Sequence, residues 1–314
     1  MVEKPFRYFK TSNRNILVGY FLAPLLTVSA LCFAALLLIR TQSGWLYDWS
    51  KYQVITNTQP AFEYEYNCQQ TNFDVNQFYL SRCVYPQGQE PTVLLAGDSI
   101  AAQYLGAFRV LAKHYGFSLR NLTQSSCPLL TEANDLHWVD RKYRDDCIAY
   151  LKFLSQQLSS FDTIIVGGSW ATYEKKGEPY YRKLMAQTID KLAKEVENIV
   201  IMGKNPNFSG YQAACEQRQV KLGFMECDAS RYNKPVSRMG ANEFLRELSE
   251  KYDNVHYYDI AEHLCVDGTC SPFKDGQPLY YDSLHLSMEG SKYLGKHMLT
   301  TGSGLLNIMD SIFQ

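Results

Sequence analysis

The sequence has no excess of charge of one sign. Its 31 Lys and Arg residues meet 32 Asp and Glu residues, leaving a formal charge of −1. Nucleic-acid binding leans on a basic surface, so no nucleic-acid partner is expected. There is no CxxC pair and no His/Cys cluster at ligand spacing, so no metal is expected either. Internal repeats and low-complexity tracts are also lacking, and 314 residues suffice for one or two domains with a stable core.

One stretch lacks charge altogether. From Ile16 to Ile39, "ILVGYFLAPLLTVSALCFAALLLI", no residue is ionisable to a full charge at neutral pH. A helix of that length spans the roughly 30 Å hydrocarbon layer of a membrane. A cleavable signal has a shorter apolar core. Here Arg40, Trp45, Tyr47, Trp49 and Tyr52 follow directly and suit an interfacial aromatic belt. Lys4, Arg7, Lys10 and Arg14 precede the span, whereas Arg40 and Lys51 alone follow it closely. The positive-inside rule then places residues 1–15 in the cytoplasm and everything beyond the span outside. Cysteine usage agrees. Cys32 lies in the span, and eight more follow at positions 68, 83, 127, 147, 215, 227, 265 and 270. An even count in an exported domain points to disulfides. Sequence leaves the pairing open; neighbour pairing, 68–83, 127–147, 215–227 and 265–270, closes short loops and is the expectation.

Residues 40–90 are polar, aromatic and weakly periodic, as expected of a juxtamembrane extension. From Thr92 the pattern is regular. "TVLLAG", "FSLRNLT" (117–123), "DTIIVGG" (162–168), "NIVIMGK" (198–204) and "VHYYDI" (255–260) suit strands. Helical spacing fills 100–115, 141–158, 180–196 and 241–252, and a last helix starts near Ser287. Strands alternating with helices predict a three-layer α/β/α domain with a mainly parallel sheet.

Within "LLAGDSIAAQY" (94–104), Ser99 sits where a strand gives way to a helix. Reactive groups in such sheets gather at the carboxyl ends of the strands. A serine there gains an exposed hydroxyl, and backbone N–H groups that can stabilise an oxyanion. It is equally an ordinary N-cap residue. "YYDSLHLSMEGSKYL" (280–294) adds Asp282 and His285, three apart, before a cap at Ser287. A serine nucleophile needs a base, and the base an orienting carboxylate. His285 alone would suit a helix cap just as well. The two motifs together are far more specific than either.

"GDS" early and "DxxHL" late resemble the end blocks of the SGNH (GDSL) hydrolase superfamily over roughly residues 92–300. "VEKPFR" (2–7) before the apolar span, "TQSSCP" (123–128) and "GGSW" (167–170) resemble bacterial acyltransferase-3 proteins. Those carry a C-terminal periplasmic SGNH domain and O-acetylate surface polysaccharides such as O-antigen. The resemblance implies a transmembrane helix 16–39 in a bacterial inner membrane and a periplasmic SGNH domain over 91–314. It also implies Ser99 as nucleophile, His285 as base, Asp282 as its orienter and the Ser99 N–H in the oxyanion hole. The expected acetyl donor is acetyl-CoA acting through a membrane acyltransferase-3 domain, with no cofactor bound to this chain. The expected partners are that domain, in the same chain or a separate protein, the membrane and a polysaccharide acceptor.

Two departures stand out. The superfamily's second-block glycine and third-block asparagine, which complete the oxyanion hole, are absent. Ser125, Ser126 and Gly168 are the replacement candidates, and Trp170 is a candidate for substrate contact. Losing one such donor costs 10²–10³ in rate elsewhere. The chain also has one apolar span where an acyltransferase-3 domain has many. The membrane domain is then expected upstream in the same protein or as a separate partner. The alternatives to transfer are a carbohydrate O-acetylesterase with the same site and, given the absent asparagine, a catalytically impaired sugar-binding module.

Overall fold

The structure, a computed structural model, describes residues 12–40, 58–61, 68–131, 136–213, 229–236, 240–274 and 277–314. The chain divides into two compact units. In the first, the described residues form one helical run over Asn13–Ile16, Leu17–Leu22 and Ala23–Arg40. It is π-wound over Leu17–Leu22, just before Pro24, whose missing N–H and ring break the regular ladder. Leu17–Leu37 has a mean hydropathy of 2.1 and no buried residue, so by length and composition it can cross a membrane. The aromatic belt, the "VEKPFR" segment before the span and the early basic residues Lys4, Arg7 and Lys10 lie outside the described residues.

The second unit is built on a sheet. Its strands are β1 (Gln69–Gln70), β2 (Val84–Tyr85), β3 (Val93–Gly97), β4 (Leu119–Gln124), β5 (Thr163–Gly167), β6 (Asn198–Met202) and β8 (Val255–Tyr258). The order is β1-β4-β3-β5-β6-β8, with antiparallel β2 beside the start of β4. All other pairings in it are parallel. A smaller sheet joins β7 (Lys234–Pro235), β10 (Thr269–Cys270) and β9 (Cys265–Val266).

The central strands are apolar throughout because both faces are covered. Leu94, Ala96, Ile164, Val166, Ile199 and Ile201 enter one core with Tyr150, Met185 and Leu245 of the helices on that side. Val93, Leu95, Ile165, Val200 and Met202 enter the other, with Phe108, Leu111, Leu294 and Met298. This is the expected α/β/α arrangement. Each expected strand and helix is present within a few residues. Gly116 ends Leu105–Tyr115 with a left-handed φ of 79°, and Ser287 caps Met288–Thr301.

Three features differ from expectation. The sheet starts before residue 91, because β1 and β2 add to its edge from within the expected extension. The helix expected over 141–158 stops at Leu154, and a 3₁₀ turn follows at Leu158–Ser160. A further helix, Gly304–Phe313, follows the one expected to be last. Its cap, Ser303, comes directly after Gly302 in the left-handed region, and Leu305 and Met309 bury its inner face. Disulfides join Cys68–Cys83, Cys127–Cys147 and Cys265–Cys270. The first braces the edge strands, the second ties the segment after β4 to Arg141–Leu154, and the third links β9 to β10. The expected Cys215–Cys227 pair lies outside the described residues.

Candidate active site

The order β4-β3-β5 sets the first long parallel strand between the second and the third, so successive crossovers leave β3 in opposite directions. That is the switch point at which open α/β sheets form a crevice. Ser99 stands at its mouth, two residues beyond Gly97. Gly97 has a φ of 130°, and a Cβ there would meet the Gly167 carbonyl oxygen at 1.9 Å. A Cβ on Gly167 would come within 2.7 Å of the Ala101 Cα. The two glycines thus let the short helix Ser99–Ala102 settle directly onto the strand ends.

Asp98 fixes the turn from within. Its Oδ1 accepts the Ile100 N–H at 2.7 Å, which caps the helix. Its Oδ2 accepts the Ser169 N–H at 3.0 Å and the Tyr173 hydroxyl. Burial pushes the Asp98 carboxyl up, and the Tyr173 hydroxyl and the two N–H groups only partly reverse this. The side chain is buried, so Asp98 shapes the turn.

The second half of the site lies on the loop between Leu279 and Ser287. His285 Nε2 is 2.9 Å from Ser99 Oγ. His285 Nδ1 is 2.9 Å from Asp282 Oδ2 and 3.1 Å from Oδ1. Asp282 Oδ1 also accepts the N–H groups of Leu284 at 2.7 Å and His285 at 2.8 Å. Burial raises the Asp282 carboxyl, but the His285 ring and these N–H groups outweigh it and hold it below its ordinary value. The site is not sealed: the His285 and Asp282 side chains are 15% and 33% exposed.

Two buried amides anchor this loop. Gln103 Oε1 accepts the Leu286 N–H at 2.7 Å, and its Nε2 donates to Asn205 Oδ1 at 2.8 Å. Asn205 Nδ2 donates to the Leu284 carbonyl at 2.9 Å and to the Tyr280 hydroxyl at 2.8 Å. That hydroxyl donates to the Pro206 carbonyl at 2.9 Å. Gln103 and Asn205 are absent from the sequence-derived site. A signal for Gln103 existed: it is polar within an otherwise apolar run, four residues after Ser99. Asn205 gave none, since its partners are about 75 to 100 residues away in sequence.

The other candidates separate. Ser125 and Ser126 follow β4 at the same sheet edge as Ser99, since Gly97 pairs with Thr123. The Ser125 N–H donates to the Gln70 carbonyl at 2.8 Å, and its hydroxyl accepts from Gln69 at 2.8 Å, so Ser125 serves the β1 edge. Ser126 is exposed, with a left-handed φ of 56°. Gly168 follows β5, and a Cβ there would meet the Trp170 ring at 2.8 Å. Trp170 departs from the expected substrate contact. It has no exposed surface and its indole N–H donates to the Met202 carbonyl at 2.8 Å, so it offers no face to a sugar. Ser169 stands where the third-block asparagine was missed; its N–H is held by Asp98 and its hydroxyl donates to Thr172 at 3.1 Å.

Comparison with known proteins gives the family and the fold. Residues 67–300 match the family described as the SGNH domain fused to AT3 domains. A comparison with curated proteins finds no match. The periplasmic domain of a lipopolysaccharide acetyltransferase from Salmonella ser. Paratyphi A is similar in structure. It shares 14% identity and a TM-score of 0.56, covering 79% of this chain and 98% of that one. A catalytic mutant of an acetylxylan esterase from Geobacillus stearothermophilus shares 14% identity at a TM-score of 0.34, covering 68% and 94%.

Proposed function

We propose, from the premise that the chain belongs to the SGNH domain family, that it is a membrane-anchored periplasmic O-acyltransferase acting on a cell-surface polysaccharide. The observation that carries this reading is the hydrogen-bonded run from Ser99 Oγ through both nitrogens of His285 to Asp282. The apolar helix Leu17–Leu37 and the disulfides suit an exported, anchored domain.

The chemistry is a double displacement. His285 Nε2 takes the Ser99 proton as Oγ bonds to the acyl carbonyl carbon. The oxyanion draws on the Ser99 N–H, with a second donor assigned to Gly168 or Ser126. When the tetrahedral intermediate collapses, the donor's leaving group departs with the proton from His285. A sugar hydroxyl then gives its proton to His285 and attacks the acyl-serine, releasing Ser99 and the acylated glycan. Asp282 holds the imidazole tautomer and offsets the charge formed at each step. The acetyl donor is acetyl-CoA, relayed by an acyltransferase-3 membrane domain.

One observation favours the esterase as a second reading: the base and its carboxylate are partly open to water. Transfer wins only where the acceptor displaces that water. A fluorophosphonate should label the wild-type chain at Ser99 and fail on Ser99→Ala, with acyl turnover down at least ~10³-fold. Labelling that persists in Ser99→Ala overturns the assignment. With an acetylated donor, product bearing the acetyl group on an added saccharide supports the transferase. Acetate release indifferent to saccharide supports the esterase.

A further inference from the structure

A cavity of about 350 Å³ opens beside the candidate site, at the carboxyl ends of β6 and β8 and against the small sheet. It shares a wall with the site, because the segment after β6 serves both. Asn205 and Pro206 hold the His285 loop, and the Phe208 N–H donates to the Ser283 carbonyl at 2.8 Å. Lys204, Pro206 and Asn207 from that same segment line the cavity.

Lys204 is the unusual member. It is 2% exposed, yet it lines the cavity, so its side chain lies at the deep end. Its backbone is clamped: its N–H donates to Asn242 Oδ1 at 3.1 Å, and its carbonyl accepts from Asn242 Nδ2 at 3.3 Å. Its ammonium donates to the Asn207 side-chain carbonyl, a neutral group. An ammonium offers three donors. A buried charge needs a counter-charge, and no carboxylate pairs with this one among the described residues. Burial brings it down to about 8, Asp98 pulls it up and Lys234 pushes it down. Lys234 lies on the same cavity, 5.4 Å from the Phe208 ring centroid. Two acids, Glu243 and Asp259, and a third cation, Arg246, also line the cavity, and Asp259 already feels Arg246 and accepts the Ala261 N–H at 3.0 Å. Among the described residues neither lysine has an acidic partner within hydrogen-bond reach, and both line one partly open cavity. Its size suits a saccharide unit, since small-molecule sites begin near 300 Å³.

We propose that this cavity receives the acidic substituent, a carboxylate or a phosphate, of the saccharide that accepts the acyl group. The inference rests on the acyl-transfer reading and extends it to the class of acceptor. Lys204 supplies a buried, pre-positioned cation and Lys234 the rim charge that draws the acid in.

The test uses the full chain in detergent with 4-nitrophenyl acetate as donor. Methyl glucuronoside, glucose 6-phosphate and methyl glucoside are compared as acceptors, with O-acetylated product measured by mass spectrometry. An acid acceptor should be preferred over methyl glucoside by about tenfold, the effect of one hydrogen bond to a charged group. Whichever acid is preferred identifies carboxylate or phosphate as the source. The preference should fall toward one in Lys204→Met. Should that variant not fold, Lys234→Met, on a half-buried position, should still lower it at least threefold. Equal use of all three acceptors by the wild-type chain overturns the proposal, as does an unchanged preference in Lys234→Met. Failure of the acyl-transfer reading looks different: no fluorophosphonate labelling at Ser99 and no product with any acceptor. In that event ligand-observed NMR with the same two acids decides the cavity's role. Binding that weakens in Lys234→Met supports an acid subsite, and no binding overturns it.

Discussion

The two halves of the candidate site are held in opposite ways. The Ser99 turn is fixed by the sheet itself: two glycines at the ends of adjoining strands and one carboxylate, Asp98, buried beneath the helix it caps. The His285 loop is closed on itself by Asp282 and by backbone bonds from the Tyr281 N–H to the His285 carbonyl and from the Ser287 N–H to the Leu279 carbonyl, both 2.9 Å, but none of these joins it to the sheet. It is fixed by amides from distant parts of the chain, Gln103 and Asn205. The first half is therefore part of the sheet. The second is a loop docked onto it. A serine–histidine distance of 2.9 Å depends on both. Damage to the first half should be a folding defect, and damage to the second a loss of alignment in a folded protein.

The sharpest way to break the first half is Gly97→Ala. The added Cβ would sit 1.9 Å from a backbone oxygen that cannot swing away, at a φ that L residues rarely adopt. Strand ends must part or the turn must rebuild, and either costs about 3 kcal/mol or more. The expected outcome is a lower midpoint in chemical denaturation together with loss of Ser99 labelling. A variant of wild-type stability would show that the close approach of β3 and β5 does not hold this turn.

The second half should break differently. Asn205→Ala removes donors to the Leu284 carbonyl and the Tyr280 hydroxyl and leaves the Gln103 amide without its acceptor. Unmet buried groups cost about 1–3 kcal/mol, so the protein should stay folded but less stable. Misplacing the base by a fraction of an ångström should slow fluorophosphonate labelling by about 10–100-fold. Two controls separate alignment from general weakening. Labelling should fall well below the folded fraction measured in the same sample, and its pH profile should change shape. A labelling rate that simply follows the folded fraction would reduce Asn205 to a stability residue.

The same contrast explains what could be read in advance. The α/β alternation, the Ser99 turn and the Asp282–His285 spacing are local patterns, and each lies within a dozen residues of sequence. They emerge because strand and helix periods, a glycine-bearing turn and an Asp-x-x-His spacing are themselves local constraints. Sequence leaves Trp170 open between substrate contact and core, because an aromatic two residues beyond a glycine pair looks the same in either setting. Only the register of β5 against β6 turns its indole toward the Met202 carbonyl. Gln103 and Asn205 were invisible as a pair for the same reason: their meeting is made by the sheet order. The edge strands β1 and β2 were hidden by their length of two residues each, too short to show a period.

The smallest expected effect sharpens the comparison most, because each half contains one carboxylate and the two are shifted in opposite directions. Asp282 is held below its ordinary value, so its ionised form is favoured by folding. Its contribution is present above the unfolded carboxylate value, near 3.9, and is lost as pH falls through the lowered folded value. Asp98 is raised by burial, so folding disfavours its ionised form. That penalty is present above the raised folded value and is relieved as pH falls toward the unfolded one. Stability measured against pH in wild type, Asp282→Asn and Asp98→Asn isolates each term by difference. The wild-type advantage over Asp282→Asn should shrink on acidification below about pH 4. The difference between wild type and Asp98→Asn should move in favour of wild type over the acid range. Asn at 98 also forfeits part of the hydrogen bonding to Tyr173 and Ser169, which is a constant offset and leaves that slope intact. Slopes of the same sign for both variants would mean that the turn and the loop are electrostatically alike, and the division between a built-in nucleophile and a docked base would have to be drawn from hydrogen bonding alone.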